Sequence, residues 1–299
     1  MTDLTLRLGT RGSELALWQA RRVAHLIADR LGLGCSIEII ATRGDRIQDV
    51  AFQKMDGKGF FTKELQEALL DGRVDLVVHS LKDLPTGEPE GLEVVAIPER
   101  ADPGDLLLAH SGLVGDPGAP LDLPPGTVVG TSSLRRAAQV LARSPGVEVR
   151  ALRGNVPTRV RKLRDGDFDA ILLAAAGANR LELDLGGLEV HRLPTEGMLP
   201  APGQGALAIE AGRDGRAAHE LGQLHDPRVA RCVEAERELL ALLGGGCHLP
   251  LGCLAVEGPE GLHLEAVLGE IDDEVTRASL VRARGVAPEP AAVAGICHR

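Results

Sequence analysis

Tyrosine is absent from this chain, and tryptophan and phenylalanine contribute only one and four residues. Leu, Val and Ala must therefore fill its cores. The same scarcity counts against binding of single-stranded nucleic acid, which relies on aromatic platforms for the bases. Cysteine is sparse as well: five residues, at 35, 232, 247, 253 and 297, an odd number with no C-x-x-C pair. That excludes a disulfide framework or a zinc knuckle and fits a reducing compartment. The nine histidines are scattered, so no metal-ligand cluster is expected. No apolar run approaches the length of a membrane span, and Met1 to Gly9 lacks a signal-peptide pattern, so a cytoplasmic protein is expected. A net charge of −10 opposes general binding to nucleic acid or a membrane surface, although it leaves local patches open.

What remains is an ordinary globular composition, 44% hydrophobic and 25% charged over 299 residues, enough for two or three domains. The opening alternates strand and helix. Leu4, Leu6 and Leu8 alternate with polar residues, Gly9 to Ser13 makes a turn, and Ala16, Ala20, Val23, Ile27 and Leu31 follow at helical spacing. Ser13 is thus expected to cap a helix. Strands are expected at 37–40, 74–78 and 92–97, with a helix over 60–70. A linker, PERADPGD, covers 98–105, and a second Pro/Gly stretch covers 198–205. Between them the strand–turn–helix theme restarts: Val129-Gly130-Thr131 echoes Leu8-Gly9-Thr10, each running into serine and a helix. Two similarly built α/β lobes are expected, each aiming a helix N-terminus, a natural anion site, at whatever lies between. From Pro227 onward a long helix and three alternating runs (251–257, 262–268 and 275–281) indicate an α+β unit. The expected division is 1–100 with 203–222, then 105–198, then 226–299.

Two places concentrate chemistry. Val74 to Val78 is a short apolar strand, after which His79, Ser80, Lys82 and Asp83 follow in quick succession. Open α/β sheets place ligands at such carboxyl ends, although the same residues also suit a surface turn with a solvated ion pair. The second is 131–164, where nine cations (Arg135, Arg136, Arg143, Arg150, Arg153, Arg159, Arg161, Lys162 and Arg164) face one acid, Glu148. Several sit at strand-to-helix turns. Arginine binds carboxylate or phosphate through a planar fork, so a polyanion is expected, and a polycarboxylate suits a chain poor in aromatics better than nucleic acid does. Lys54 and Lys58, on a glycine-flanked loop, are expected to close over the same ligand. Cys247 stands alone after three glycines, where the backbone can approach a ligand closely. That favours a reactive or modified thiol there, whereas Cys35, Cys232, Cys253 and Cys297 read as packing residues.

Seven stretches in one order carry a resemblance: RGSELALWQA from Arg11, GKGFFTKEL from Gly57, VHSLKDLP from Val78, GTSSLRRAAQ from Gly130, LRGNVPTR from Leu152, PGQGAL from Pro202 and GGCHLPLG from Gly245. Together they resemble the porphobilinogen deaminase, or hydroxymethylbilane synthase, family. The resemblance implies two lobes like type II periplasmic binding proteins plus a small C-terminal α+β domain. It implies a transferase that joins four porphobilinogen molecules head to tail, releases ammonia each time, and yields hydroxymethylbilane. Growth begins on a dipyrromethane cofactor held by a thioether to Cys247, with no metal. Asp83 is implied as the catalytic carboxylate, acting mainly ionised with Lys82 favouring that state. Lys82, Ser80, Thr131, Ser132, Ser133, Arg135, Arg136 and Arg159 are implied at the cofactor. Arg11, Ser13, Arg153, Arg180, Lys58, Phe61 and Gln204 are implied at the substrate. The partners implied are porphobilinogen, neither nucleic acid nor membrane, and a transient hand-over of product to the next enzyme from a monomer. Two rival readings are a two-lobed polyanion-binding or sensor protein without the chemistry, which would need neither Asp83 nor Cys247, and a nucleic-acid protein using the 131–164 patch.

Overall fold

The computed structural model describes residues 5–42, 62–215, 217–246 and 249–298. The chain divides into two compact units, one of 1–101 with 206–231 and one of 102–205 with 232–299. Lys54, Lys58, Phe61, Cys247 and His248 lie outside the described residues.

In chain order the first unit contains β1 (Thr5–Thr10), α1 (Glu14–Leu31), β2 (Gly34–Ile39), α2 (Lys63–Leu70), β3 (Leu76–Ser80), a single 3-10 turn at Leu81–Asp83, and β4 (Leu92–Ala96). The second unit begins with β5 (Asp105–Ala109), β6 (Val128–Gly130), α3 (Leu134–Arg143) and β7 (Glu148–Arg150). It continues through α4 (Val156–Arg164), β8 (Ala170–Ala174), α5 (Ala175–Arg180) and β9 (Glu189–Arg192). The chain returns to the first unit for β10 (Leu207–Gly212) and α6 (Ala218–Gly222), and α7 (Pro227–Leu242) leads back out. The second unit ends with β11 (Leu251–Gly258), β12 (Gly261–Ile271), β13 (Ala278–Ala287) and α8 (Pro290–His298).

Each α/β lobe is a five-stranded mixed sheet, and the two share one topology. The orders are β2-β1-β3-β10-β4 and β7-β6-β8-β5-β9. In each, three parallel strands are followed by an antiparallel strand. In one lobe this is β10, returned there after the chain has crossed to the other unit and back; in the other it is β5, the first strand of its own unbroken segment. Both faces of the first sheet are covered. Leu6, Leu8, Leu76, Val78 and Ile209 pack with Val23 and Ile27 of α1, while Val77 and Leu92 pack with Leu65 and Leu69 of α2. Strands buried on both faces read as continuous apolar runs, which is why the 74–78 segment stood out in the sequence.

The echo between Gly9 and Gly130 has a packing cause. A Cβ on Gly9 would lie 3.0 Å from Ile40 Cδ1 and Val77 Cγ1; on Gly130 it would lie 2.8 Å from Phe168 Cδ1 and 3.0 Å from Ile171 Cγ2. At both glycines the neighbouring side chains press so closely that an added side chain has no room.

The C-terminal α+β part is the three-stranded antiparallel sheet β11-β12-β13. Leu251, Cys253, Ala255, Leu262 and Leu264 pack there with Ala235 and Leu239 of α7 and with Val293 and Ala294 of α8. Its last strand differs from the expected 275–281. Val275 lies in the connecting turn with φ +57, and Asp272 holds that turn by accepting from the Thr276 and Arg277 amides, so β13 starts at Ala278. Strand β9 was not expected from the sequence. No helix among the described residues is long and apolar enough to cross a membrane.

Candidate active site

In the first unit the chemistry gathers where β1 and β3 end. After Thr10 the chain turns through Arg11 and Gly12, and Ser13 Oγ accepts from Ala16 N at 3.3 Å, so Ser13 caps α1 as its sequence position implied. Two turns into α1, Gln19 Nε2 donates to Ser80 Oγ at 2.8 Å, fixing the last residue of β3. The 3-10 turn then presents Lys82, half-buried, and Asp83, exposed. Arg11, Ser13, Gln19, His79, Ser80 and Asp83 border one cavity, together with Thr62 and Leu65. Below it, His79 Nε2 lies 3.0 Å from Glu210 Oε2, and Gln66 Nε2 donates to Glu210 Oε1 at 2.9 Å. This carboxylate, inside the apolar strand β10, was missed in the sequence. Its signal was a lone acid in the run LAIEAG.

In the second unit β6 leads through Thr131, Ser132 and Ser133 into α3. The hydroxyls here are engaged within the protein: Thr131 Oγ1 accepts from Ser133 N at 3.2 Å, and Ser132 Oγ donates to Leu152 O at 2.7 Å. The two following arginines are not displayed on the surface; Arg135 is 4% and Arg136 6% exposed. Arg135 Nη1 donates to Asp105 Oδ2 at 2.6 Å and to Leu199 O at 2.7 Å. Arg136 donates to Asp105 Oδ1 through Nη2 at 2.7 Å and Nε at 3.2 Å, and to Leu172 O through Nη1 at 3.1 Å. Burial alone would push the Asp105 carboxyl up, but the two guanidinium groups outweigh it and hold it well below the usual carboxylate range. Asp105 was assigned to the linker in the sequence. Its signal was an acid opening an otherwise apolar strand, DLLLA.

Gln204, implied at the substrate, is fully buried; its amide donates to Pro103 O at 2.6 Å and to Asp105 Oδ1 at 3.0 Å. Arg180 is 7% exposed and donates to Gly205 O at 2.7 Å. Arg153 is half-buried after β7, and Arg159 Nε donates to Gly154 O at 2.8 Å from α4, which Asn155 caps.

The expected cation excess over 131–164 is partly dispersed by acids that lie outside that window. Arg143 pairs with Asp122 at 2.7 Å and Arg164 with Asp184 at 3.8 Å, while Arg150 takes Glu148 at 2.6 Å. Among the described cysteines, burial pushes the Cys35 thiol up to about 11 and raises that of Cys297, in keeping with packing roles. Gly244 and Gly245, which lead toward position 247, both take left-handed backbone, with φ +90 and +48. Among the described residues no group of His, Cys, Asp and Glu is arranged to hold a metal.

Residues 6–220 match the family description "Porphobilinogen deaminase, dipyromethane cofactor binding domain", and residues 230–296 match "Porphobilinogen deaminase, C-terminal domain". The chain is 46% identical to the porphobilinogen deaminase of Syntrophobacter fumaroxidans over 282 residues, covering 93% of this chain and 89% of that one. It is 47% identical to that of Thiobacillus denitrificans over 293 residues, covering 97% and 92%. Among solved structures, a periplasmic substrate-binding protein of an ABC transporter from Coxiella burnetii is similar at 16% identity and a TM-score of 0.45, over 75% of this chain and 93% of that one. With both family descriptions matched in order and such identity along nearly its whole length, the chain belongs to the porphobilinogen deaminase family.

Proposed function

We propose that this chain condenses four porphobilinogen molecules head to tail, releases ammonia at each step, and yields hydroxymethylbilane, as an enzyme of tetrapyrrole synthesis. The observation that carries the reading is Asp83, an exposed carboxylate on a 3-10 turn at the carboxyl end of β3, bordering a cavity with Arg11 and Ser13. A carboxylate so placed accepts a hydrogen bond from the pyrrole N–H of the incoming substrate. The amine of the substrate's aminomethyl group leaves as ammonia by breaking its bond to the methylene. The methylene stays on the ring as a methylene-pyrrolenine cation, and the same carboxylate steadies the positive charge as it forms. Preorganised contacts of this kind are worth about 3–4 kcal/mol. Arg11 and Ser13 take the acetate and propionate groups that the pyrrole carries, while Lys82 serves the cofactor.

The second unit suits a resident polycarboxylate. Two buried guanidinium groups share one protein carboxylate, and Arg135 Nε is buried without an acceptor. Arg135, Arg136 and Arg159 would hold the carboxylates of a dipyrromethane joined to the Cys247 sulfur, with Thr131, Ser132 and Ser133 beside them, and Arg153 and Arg180 those of the substrate. When bound, that group supplies the free α-carbon to which incoming pyrroles are joined. Asp83 serves the porphobilinogen being activated, and Lys58 and Phe61 serve the same substrate. A cytoplasmic monomer that hands its product to the next enzyme belongs to the same reading.

Intact-protein mass tests it. The purified chain is expected to exceed its sequence mass by two linked pyrroles, and Cys247→Ser is expected to abolish the excess together with activity. Active protein of unmodified mass would refute the assignment.

A further inference from the structure

Helix α3 opens with two adjacent arginines, the wrong charge for the positive end of a helix dipole. They are tolerated because Asp105, 0% exposed at the start of β5, lies within 2.7 Å of both. Yet one carboxylate neutralises only one of two guanidinium groups. Neither arginine has a second carboxylate partner among the described residues, so the triad carries a surplus positive charge out of water. Such a surplus is costly, and well-packed apolar residues would serve stability at least as well. Arg135 Nε adds a buried N–H with no acceptor. Surplus charge and an unmet donor at one place are both answered by one further carboxylate, brought by a ligand.

The carboxylate of Asp105 is itself held rigidly. Gln204 Nε2 donates to its Oδ1 at 3.0 Å while also bonding the carbonyls of Pro103 and Gly104, the residues just before β5. On the far side, Leu199 O receives both Arg135 Nη1 and Gln139 Nε2, the latter at 3.0 Å. The guanidinium planes are therefore set from behind by groups that are themselves fixed.

We propose that Asp105 is a positioning residue which, acting through Arg135 and Arg136, presents the guanidinium pair to a carboxylate of the pyrrole chain and so determines how much of the protein carries the dipyrromethane. Gln204 supports Asp105 and does not touch the ligand. The inference rests on the functional reading above.

The test is intact-mass analysis of the full-length protein, taken from the folded, monodisperse fraction, with its thermal midpoint measured alongside. The parent is expected to be loaded. Asp105→Asn, which keeps the shape but loses the charge, is expected to show at least a tenfold lower loaded fraction. Asp105→Glu is expected to recover at least half of the parent's loading. Equal loading of parent and Asp105→Asn overturns this inference alone, as does loss of loading that Asp105→Glu does not recover at all. A parent without the adduct overturns the functional reading and this inference with it. Should Asp105→Asn yield no folded protein, Gln204→Leu, which keeps all three charges but frees the carboxylate to rotate, is expected to load several-fold less than the parent; loading equal to the parent overturns the inference.

Discussion

At the residue scale, Asp83 and Asp105 are two carboxylates with opposite surroundings, and their surroundings set their work. Asp83 is exposed on a turn and available to a substrate; Asp105 is enclosed and bound to two arginines. Asp83→Ala removes no buried contact, so folding and cofactor attachment are expected to survive while kcat falls about a hundredfold to a thousandfold. A variant turning over like the parent would remove Asp83 from the chemistry. Asp105 makes stability depend on acid. Its carboxyl is held below the unfolded value of about 3.9, so its contribution is present above that pH and is lost as pH falls toward the folded value. Denaturation midpoints measured at pH 7 and pH 3 are expected to drop more steeply for the parent than for Asp105→Asn; parallel declines would contradict the linkage. Asp83 was legible in the sequence because polar residues crowd the end of an apolar strand. Asp105 was not, because its arginine partners lie thirty positions further along the chain and nothing local signals the pairing.

At the scale of the element, β1 and β6 each run, at or near their ends, into a glycine whose neighbours leave no room for a side chain. Gly130→Ala would force a Cβ to within 2.8 Å of the Phe168 ring, against a neighbour that is itself only 7% exposed. Its backbone is ordinary there, so the cost is overpacking alone, about 1–3 kcal/mol. Urea unfolding that shows no loss would mean that Phe168 yields freely. The helices and strands of the lobes followed from apolar spacing, and Ser13 announced its helix through capping chemistry that needs only four consecutive residues. Spacing failed at Val275, whose β-branched side chain suits a strand but whose backbone takes a left-handed turn, φ +57, under the hold of Asp272. A cap that fixes the turn outweighs a strand propensity worth a fraction of a kcal/mol.

At the scale of the whole molecule, the second chain crossing is tied into the C-terminal part. Glu236 of α7, 0% exposed, accepts from Gly203 N at 2.7 Å and from Ala255 N at 2.9 Å, and Cys253 N donates to Pro200 O at 2.8 Å. Glu236→Ala strands two buried amides, at about 1–3 kcal/mol each. Hydrogen exchange is expected to quicken at Gly203 and Ala255 well before the lobe sheets are affected; unchanged protection at both would show that the tie is dispensable. Composition, strand and helix spacing, the two proline-glycine crossings and the motif order were determined by the sequence alone, because each rests on neighbours within a few residues. The shared sheet order and the burial of Arg135 and Arg136 on Asp105 were decided only by the tertiary structure. Pairings across such long stretches depend on which surfaces remain to be covered once the local elements have formed, and no single stretch of the chain holds that information.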